Sequence, residues 1–352
     1  MQNPLEQYAY NLPDALMAKI PAEPRDSSKL LVYNTATDTI TDARFYDLPH
    51  FIPTPSLLVM NDTKVIPARV MLSRNPLGKN PGKVEVLFLV NEIQPGASKV
   101  RGMVDRKTLV GDVLAFPDGS SIEAVGQQEH IFHFDIGTLG EEKFRDLLIK
   151  FGTTPLPKYI GETGLDENKL RERYQSVFAK SEGERSVAAP TASLHMTPEV
   201  LKKLQDKGVR ETFVTLHVGM GTFAPVNEEQ IVEKRLHKEW YDVSSAVGAI
   251  NEAKENKMPI IAMGTTATRA LESFGRTGEA SGDTDIFILP GHEFQIASGL
   301  ITNFHLPKTS LMALVDAFLK HKKSKRGILD LYAHAIEKGY RFYSFGDAML
   351  II

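Results

Sequence analysis

The chain contains no cysteine, and this absence excludes several chemistries at once. Disulfide bonds, a thiolate nucleophile, cysteine-ligated zinc and iron–sulfur clusters all need a thiol. Any catalysis must therefore use histidine, carboxylates, lysine, hydroxyl groups or backbone amides.

Long apolar runs are also missing. Nowhere do eighteen apolar residues occur together, and the first eighteen residues lack Lys, Arg and a continuous apolar run. Neither a membrane span nor a secretion signal is indicated, so we expect a cytoplasmic protein.

Charge of one sign is not in excess either. The formal net charge of −3 gives no global attraction to nucleic acid. RNA binding would need a local basic patch, for which the lysine-rich residues 320–326 are one candidate. A solvated helix end is the competing interpretation of that run.

Two regions of the chain differ in their pattern of apolar residues and turn residues. With 352 residues, 42% of them apolar, the chain can fill the cores of two domains. Short β-like runs punctuated by Gly, Pro and Asp are typical of a small antiparallel barrel. The flanks alternate helices with buried strands, as in α/β layer structures. We predict an α/β domain built from residues 1–67 and 139–352, into which a β-barrel domain of residues 68–138 is inserted.

Apolar periodicity and capping signals place the main elements of the larger domain. Thr197 before Pro198 is typical of a helix start, and Gly208 of its end. Alternation over residues 211–219 predicts a strand with His217 at its carboxyl end. The same signals predict helices over 141–151, 243–256, 309–320 and 327–338, and strand character over 259–263, 285–294, 300–307 and 340–351.

Three histidines follow short stretches of small or hydroxylated residues. His195, His217 and His305 each lie beside a predicted strand–helix junction. A lone histidine is more often structural, but open α/β sheets collect ligands at the carboxyl ends of their strands. We therefore expect the three junctions to converge on one crevice. Because no H-x-x-x-H or H-E-x-x-H spacing occurs, we predict no metal site.

Weaker signals lie at other junctions. Gly264-Thr265-Thr266 follows a buried strand and opens a helix, which suits either an anion site or a simple N-cap. No dinucleotide-binding glycine pattern is present there or at the glycine turn after His217. Asn61-Asp62-Thr63 suits an Asx turn as well as a functional role.

Together these segments resemble the S-adenosylmethionine:tRNA ribosyltransferase-isomerase family of the queuosine pathway. The resemblance runs along nearly the whole chain, in segments such as LLVMNDTKVIPARV, SVAAPTASLH, TLHVGMGTFAPV, GTTATRALES and LITNFHLPKTSLMALVDAF. The chain departs from the family pattern at Ser193, Met196, Ser298 and the pair Thr309-Ser310. These departures put a catalytic role for those positions in doubt.

The resemblance implies a monomeric, cytoplasmic enzyme with a large α/β domain and a smaller β-barrel. It implies transfer and isomerisation of the ribosyl part of S-adenosylmethionine onto 7-aminomethyl-7-deazaguanine at the tRNA wobble position. Epoxyqueuosine-tRNA forms, and adenine and methionine leave. S-adenosylmethionine is then a co-substrate, and no metal or redox cofactor is required. The alternatives are an enzyme of the same fold that acts on a free nucleoside or sulfonium compound, and a non-catalytic tRNA-binding protein.

The implied chemistry assigns roles to residues. The sulfonium acidifies the C5′ protons, adenine leaves best when protonated, and the attacking amine must be neutral, so each step needs proton transfer near neutral pH. Histidine suits that need. We predict that His195, His217 and His305 share these roles, with Asp62 and Glu272 as orienting or auxiliary acid–base groups.

Substrate binding is assigned to backbone and neutral polar groups at the strand ends. The turn at Gly264, Thr265 and Thr266, with Arg269, would bind the methionine carboxylate. Thr302 and Asn303 suit a base edge or ribose hydroxyl, and Phe304 suits either stacking or the core. The remaining predicted substrate contacts are Asn61, Thr63, Arg69, Thr191, Gly219, Gly221 and Thr222. Predicted tRNA phosphate contacts are Lys64, Arg69, Arg101, Arg106 and Lys107.

Overall fold

A computed structural model of the chain describes residues 3–75, 81–93, 96–180, 185–219 and 226–352. The strands are β1 (Lys29–Asn34), β2 (Thr39–Arg44), β3 (Ser56–Asn61), β4 (Arg69–Arg74), β5 (Gly82–Phe88), β6 (Lys99–Val104), β7 (Val113–Ala115), β8 (Ser121–Gln128), β9 (Ile131–Asp135), β10 (Val209–Leu216), β11 (Arg235–Asp242), β12 (Ile260–Met263), β13 (Ser281–Ile286), β14 (Gly299–Asn303) and β15 (Ala348–Ile351). The α-helices are α1 (Leu48–Phe51), α2 (Glu141–Phe151), α3 (Glu167–Arg173), α4 (Pro198–Asp206), α5 (Glu228–Glu233), α6 (Val247–Glu255), α7 (Thr265–Thr277), α8 (Ser310–His321) and α9 (Ile328–Glu337).

Two sheets organise these elements. A nine-stranded mixed sheet has the order β13-β11-β10-β3-β12-β14-β15-β1-β2, and the strands β4-β5-β6-β9-β8-β7 close into an antiparallel barrel. The predicted fold class, an α/β domain from both flanks with an inserted small barrel, is confirmed.

The large sheet is buried on both faces because its central strands are apolar on both sides. In β3, Leu57 and Val59 join one core while Leu58 and Met60 join another. Helices α6 and α7 pack on the first face and α4 on the second. The domain is therefore a three-layer α/β/α structure.

The barrel has a core of its own. Phe88 on β5 contacts Phe134 on β9, and it meets Phe144 of α2 edge-on with ring centroids 5.0 Å apart. Helix α2 thus packs against the barrel where the chain returns to the α/β domain.

Four parallel strands share one carboxyl edge. Strand β3 pairs in parallel with β10 and β12, and β12 pairs in parallel with β14. Their ends therefore bring residues 61–63, 217–219, 264–266 and 302–305 to the same edge of the sheet, where open α/β sheets bind ligands. The antiparallel neighbour β11 reaches this edge with its last residues, because Tyr241 and Asp242 pair with Leu216 and Thr215 at the end of β10.

Several predicted element boundaries are confirmed. Thr197 caps α4, accepting a hydrogen bond from the Val200 amide, and α2 stops before Gly152. The tail prediction was wrong for residues 340–347, which are irregular. Asp347 accepts hydrogen bonds from the amides of Lys29 and Arg341 there, so side-chain bonds replace strand pairing. The predicted strand over 285–294 was also wrong beyond Ile286, where β13 ends.

Within the described ranges, the structure contains no helix long and apolar enough to cross a membrane. The same residues include no group of three or more His, Asp or Glu side chains placed to hold a metal ion.

Candidate active site

A cavity of about 600 Å³ opens at the carboxyl edge of the large sheet. Its walls come from the ends of β12 and β14, the start of α7, the segment before α4 and strand β11. The predicted site residues that line it are Thr191, Gly264, Thr265, Thr266, Arg269, Thr302, Asn303, Phe304 and His305. Lining residues that sequence reasoning missed include Tyr159, His237, Glu239, Lys308, Tyr343 and Ser344.

His305 is held rigidly in the cavity wall. Its amide donates to the Tyr332 hydroxyl at 2.8 Å, and its carbonyl accepts from the Tyr10 hydroxyl at 2.5 Å. Ring atom Nε2 lies 2.9 Å from Thr302 Oγ1, while Nδ1 has no hydrogen-bond partner among the described residues. Burial lowers the pKa of His305 to about 3. The ring is therefore neutral at physiological pH and presents one free nitrogen.

Asn303 offers an unused acceptor beside this ring. Its Nδ2 donates to the Tyr343 carbonyl at 3.1 Å, which fixes the orientation of the amide. Its Oδ1 is buried and, in the described part of the chain, makes no hydrogen bond of normal geometry, although it faces His195, whose Nε2 also lacks a partner; Thr266 Oγ1 is likewise unpaired. Buried polar atoms without partners are destabilising, so both atoms mark positions where a ligand would complete the hydrogen bonding.

Arg269 and Glu239 form a buried ion pair in the cavity wall, with side chains only 10% and 4% exposed. Glu239 also accepts a hydrogen bond from the Gly219 amide at 2.9 Å. Arg269 Nε and Nη2 are buried and lack partners in the described structure. The guanidinium therefore keeps donors available after its charge has been balanced by Glu239.

Helix α7 begins at the cavity with a glycine. Gly264 has φ of 93°, a left-handed conformation that favours glycine, and the cap has no side-chain hydrogen bond. The first amides of a helix lack intrahelical acceptors. The start of α7, together with Arg269 one turn later, is suited to an anionic group.

His195 lies behind the cavity wall. Its Nδ1 is 2.9 Å from Ser28 Oγ, and its ring packs on Phe45 with centroids 5.1 Å apart. Burial lowers the pKa of His195 to about 3, assisted by the positive charge of Arg341 and opposed by the Asn303 amide. The ring is therefore next to Asn303 but is not a lining residue.

His217 lies on the opposite face of the sheet. Its Nδ1 is 2.9 Å from Thr63 Oγ1, and its ring stacks on Trp240 with centroids 5.3 Å apart and an interplanar angle of 18°. Burial and then the charge of Arg185 lower its pKa to about 4. Val218, the next residue, lines the cavity, and strand alternation turns His217 the other way.

The expectation that the three histidine rings converge on one crevice is therefore corrected. Of these three histidines, only His305 lines the cavity formed by described residues. The ordinary imidazole pKa assumed from sequence is also corrected, because burial lowers the pKa values of His195, His217 and His305 well below 6.5.

Both predicted auxiliary carboxylates have protein partners away from the cavity. Glu272 is fully buried and accepts hydrogen bonds from the amides of Gln295, Ile296 and Ala297. Asp62 accepts from Thr215 Oγ1 at 2.7 Å and pairs with Lys180 at 2.6 Å. Glu272 thus fixes the backbone of residues 295–297. Asp62 lies near His217, on which its charge acts.

Other predicted ligand contacts are used inside the protein. Asn61 exchanges hydrogen bonds with the backbone of Leu216 and accepts from the Thr63 amide, which ties β3 to β10. The Phe304 ring is fully buried in an aromatic cluster, with Phe342 5.0 Å away between centroids, so its core interpretation holds. Arg69 pairs with Glu85 outside the cavity.

The other predicted substrate and phosphate contacts have three different outcomes. Gly219 binds Glu239 through its amide, whereas Gly221 and Thr222 lie outside the described residues. Two predicted phosphate contacts, Arg101 and Arg106, form ion pairs with Glu92 and Asp105, each at 3.3 Å. Lys64 also has a partner.

Fold and cavity together define an α/β protein with an inserted barrel and a largely apolar crevice of about 600 Å³, which carries a few polar groups, at the carboxyl edge of the large sheet. A family model described as "Queuosine biosynthesis protein" matches residues 5–351. The chain belongs to the queuosine biosynthesis protein family.

Individual relatives cover the whole chain. It is 40% identical over 349 residues to the S-adenosylmethionine:tRNA ribosyltransferase-isomerase of Sulfurihydrogenibium sp., covering 99% of each protein. It is 42% identical over 352 residues to the protein of the same name from Legionella pneumophila, again covering 99% of each. The crystal structure of S-adenosylmethionine tRNA ribosyltransferase from Thermotoga maritima matches with a TM-score of 0.54 and 30% identity, over 98% of this chain and 100% of that one.

Proposed function

We propose that this protein transfers and isomerises the ribosyl part of S-adenosylmethionine onto 7-aminomethyl-7-deazaguanine in tRNA, releasing adenine and methionine. The observation that carries the proposal is the cavity itself. In a chain whose residues 5–351 match the family model, it joins His305, Asn303 and Arg269, which come from separate strand and helix ends. S-adenosylmethionine acts as co-substrate, and the chemistry as we write it needs no metal or redox cofactor. We further propose a cytoplasmic monomer.

The methionine end of the substrate would lie at the start of α7. Its carboxylate would accept hydrogen bonds from the first helix amides and from the unpaired N–H groups of Arg269. The Glu239 carboxylate beside Arg269 would face the substrate's ammonium or sulfonium charge. The Arg269–Glu239 pair therefore offers a cation to the substrate's carboxylate and a carboxylate to its positively charged group.

An aromatic pair in the cavity wall suits the adenine ring. Tyr343 and Tyr159 have ring centroids 4.9 Å apart, and the Tyr159 hydroxyl lies 2.7 Å from Ser344 Oγ. Tyr343 has φ of 75°, a strained conformation for a bulky residue. Such strain concentrates at ligand sites, and stacking on a purine is worth about 1–3 kcal/mol.

His305 is the proton-transfer group of this proposal. The sulfonium acidifies C5′, and the free nitrogen of the neutral imidazole can accept that proton, although burial makes His305 a weaker base than an exposed imidazole. Thr302 fixes the ring orientation through Nε2. Asn303 Oδ1, the neighbouring buried acceptor, would bind a ribose hydroxyl or base N–H. A well-placed proton-transfer group contributes on the order of 10²–10⁴-fold.

The test combines S-adenosylmethionine with an anticodon stem-loop RNA that carries the aminomethyl deazaguanine. We expect stoichiometric adenine release and a modified nucleoside of the mass required for epoxyqueuosine. A second arm replaces the RNA with the free base. Equal turnover of the free base would favour an enzyme that does not use RNA. RNA binding with no adenine release would favour a non-catalytic binding protein.

RNA recognition gives an independent test of the same proposal. Because phosphate neutralisation releases counterions, RNA affinity should fall steeply with added salt despite the net charge of −3. A flat salt response in a filter-binding titration would contradict an RNA substrate.

A further inference from the structure

The His217 cluster lies outside the cavity and has no role in the chemistry proposed above. It consists of His217, Thr63, Asp62 and Lys180, and it is flanked by Trp240 on β11. Trp240 is the only tryptophan of the chain, and 37% of it is exposed. The indole thus presents an aromatic surface beside charged groups, and Trp is among the residues enriched in binding interfaces.

The geometry makes Trp240 a rigid surface. The His217 amide donates to the Trp240 carbonyl at 3.0 Å, so the two residues are cross-strand neighbours. Their rings lie nearly parallel, at 18°, and Thr63 Oγ1 holds Nδ1 of His217. One face of the indole is therefore supported from inside by a neutral imidazole whose orientation is fixed.

Positive charge lies on the β10 side of this ring pair. Lys180 is 56% exposed at its side chain and also lies 5.5 Å above the Phe213 ring, while the charge of Arg185 acts on His217. The carboxylate of Asp62 is already bound by Lys180 and Thr215. On the β13 side, the exposed Asp283 is paired in register with Trp240 and opposes an anion. A polyanion would thus be repelled at Asp283 and attracted on the β10 side, where Arg185 adds positive charge.

We propose that Trp240, supported by His217, is a stacking platform for a base of the RNA substrate, with Arg185 and Lys180 facing its phosphates. Base stacking on aromatic side chains and nearby cations are the usual elements of single-stranded RNA recognition. The inference rests on the proposed function, because it takes RNA as the partner. It adds a second contact at the same sheet edge, on the face opposite the cavity.

The single tryptophan makes the platform directly observable. Titration with the anticodon stem-loop should quench the indole emission, because a stacked base quenches it, whereas S-adenosylmethionine alone should leave the emission unchanged. Filter binding, which does not depend on fluorescence, should show that Trp240→Ala weakens RNA binding roughly tenfold. Trp240→Phe should retain most of the affinity, since a ring remains for stacking.

Matched variants separate stacking from charge and from folding. Tyr46→Ala removes an aromatic side chain that is 44% exposed elsewhere and should leave RNA affinity unchanged. Asp283→Asn should tighten RNA binding by removing the opposing charge. Arg185→Gln should weaken it and lower the salt slope by about 1.

The outcomes distinguish this inference from the proposed function. If the protein releases adenine with the RNA but its emission does not change and Trp240→Ala binds normally, the platform is overturned while the function stands. If the protein neither binds the RNA nor releases adenine, both are overturned. Quenching by RNA together with weakened binding of Trp240→Ala supports the platform whatever the turnover.

Discussion

The two faces of the sheet's carboxyl edge hold histidines in contrasting surroundings. On one face His305 lines a cavity whose wall contains unpaired buried polar atoms, at Asn303, Thr266 and Arg269. On the other face His217 has a hydroxyl partner and a stacked indole, and the nearby carboxylate of Asp62 is already bound. The histidines have similarly lowered pKa values, about 3 and about 4. The surrounding unsatisfied groups, rather than the pKa, distinguish a site prepared for a small molecule.

The largest expected effect tests the chemical role of the cavity face. His305→Ala should slow single-turnover adenine release by roughly 10²–10⁴-fold, because it removes the proposed proton acceptor. With saturating RNA, His217→Ala should change that rate far less and should mainly weaken RNA binding. Comparable losses of chemistry in both variants would contradict the division between the faces.

The second prediction tests whether Glu272, on helix α7, stabilises the fold or takes part in catalysis. Glu272 accepts amide hydrogen bonds at 2.7, 3.1 and 3.0 Å without access to solvent. Glu272→Gln should lower the free energy of unfolding by roughly 2–4 kcal/mol, since at least one amide loses a charged acceptor. Urea denaturation measures this loss. A stable variant with abolished adenine release would instead restore the catalytic role predicted for Glu272.

The third prediction concerns substrate binding at the start of the same helix. Arg269→Ala should raise KM for S-adenosylmethionine roughly 10–100-fold while lowering kcat much less, because a charged hydrogen bond is worth about 1.5–3 kcal/mol. Arg276→Ala is the matched control, since its side chain is 53% exposed on the same helix. Loss of kcat at unchanged KM would place Arg269 in the chemistry instead.

The smallest expected effect is on how the free energy of unfolding depends on pH. The folded protein protonates His195 only near its pKa of about 3, whereas an unfolded chain binds that proton near pH 6.5. Stability is therefore fully present above about pH 6.5 and falls as the pH drops toward 3. Between pH 6 and 5 each such histidine should contribute about 1 kcal/mol of destabilisation. His195→Gln should show a correspondingly flatter decline in thermal melts, and an unchanged decline would refute the buried, neutral state.

Sequence signals predicted helix ends and strand faces well where interactions between residues close in sequence determine them. The cap at Thr197, the stop at Gly152 and the strand alternation around Val214 all appear in the structure. The irregular tail before Ala348 was not predictable in this way, because Asp347 accepts a hydrogen bond from the backbone amide of Lys29, which is far away in sequence.

The candidate site was predicted in part. Position at a strand end singled out His305, and the chemistry that the family resemblance implies suggested Thr302, Asn303 and Arg269 as ligand contacts; all four line the cavity. Glu239 was missed because its partner, Arg269, lies 30 residues away on another element. No local pattern signals such a pairing.

The sequence by itself determined the excluded chemistries, the insertion of a barrel into an α/β domain and the polar residues at the strand ends, because composition and periodicity act over a few residues. The tertiary structure alone decided which side chains keep unsatisfied groups. Strand alternation turned His217 away from the cavity that His305 enters, and packing placed His195 behind the lining residue Asn303. Whether a polar atom is bound by protein or left for a ligand depends on neighbours that only folding brings together.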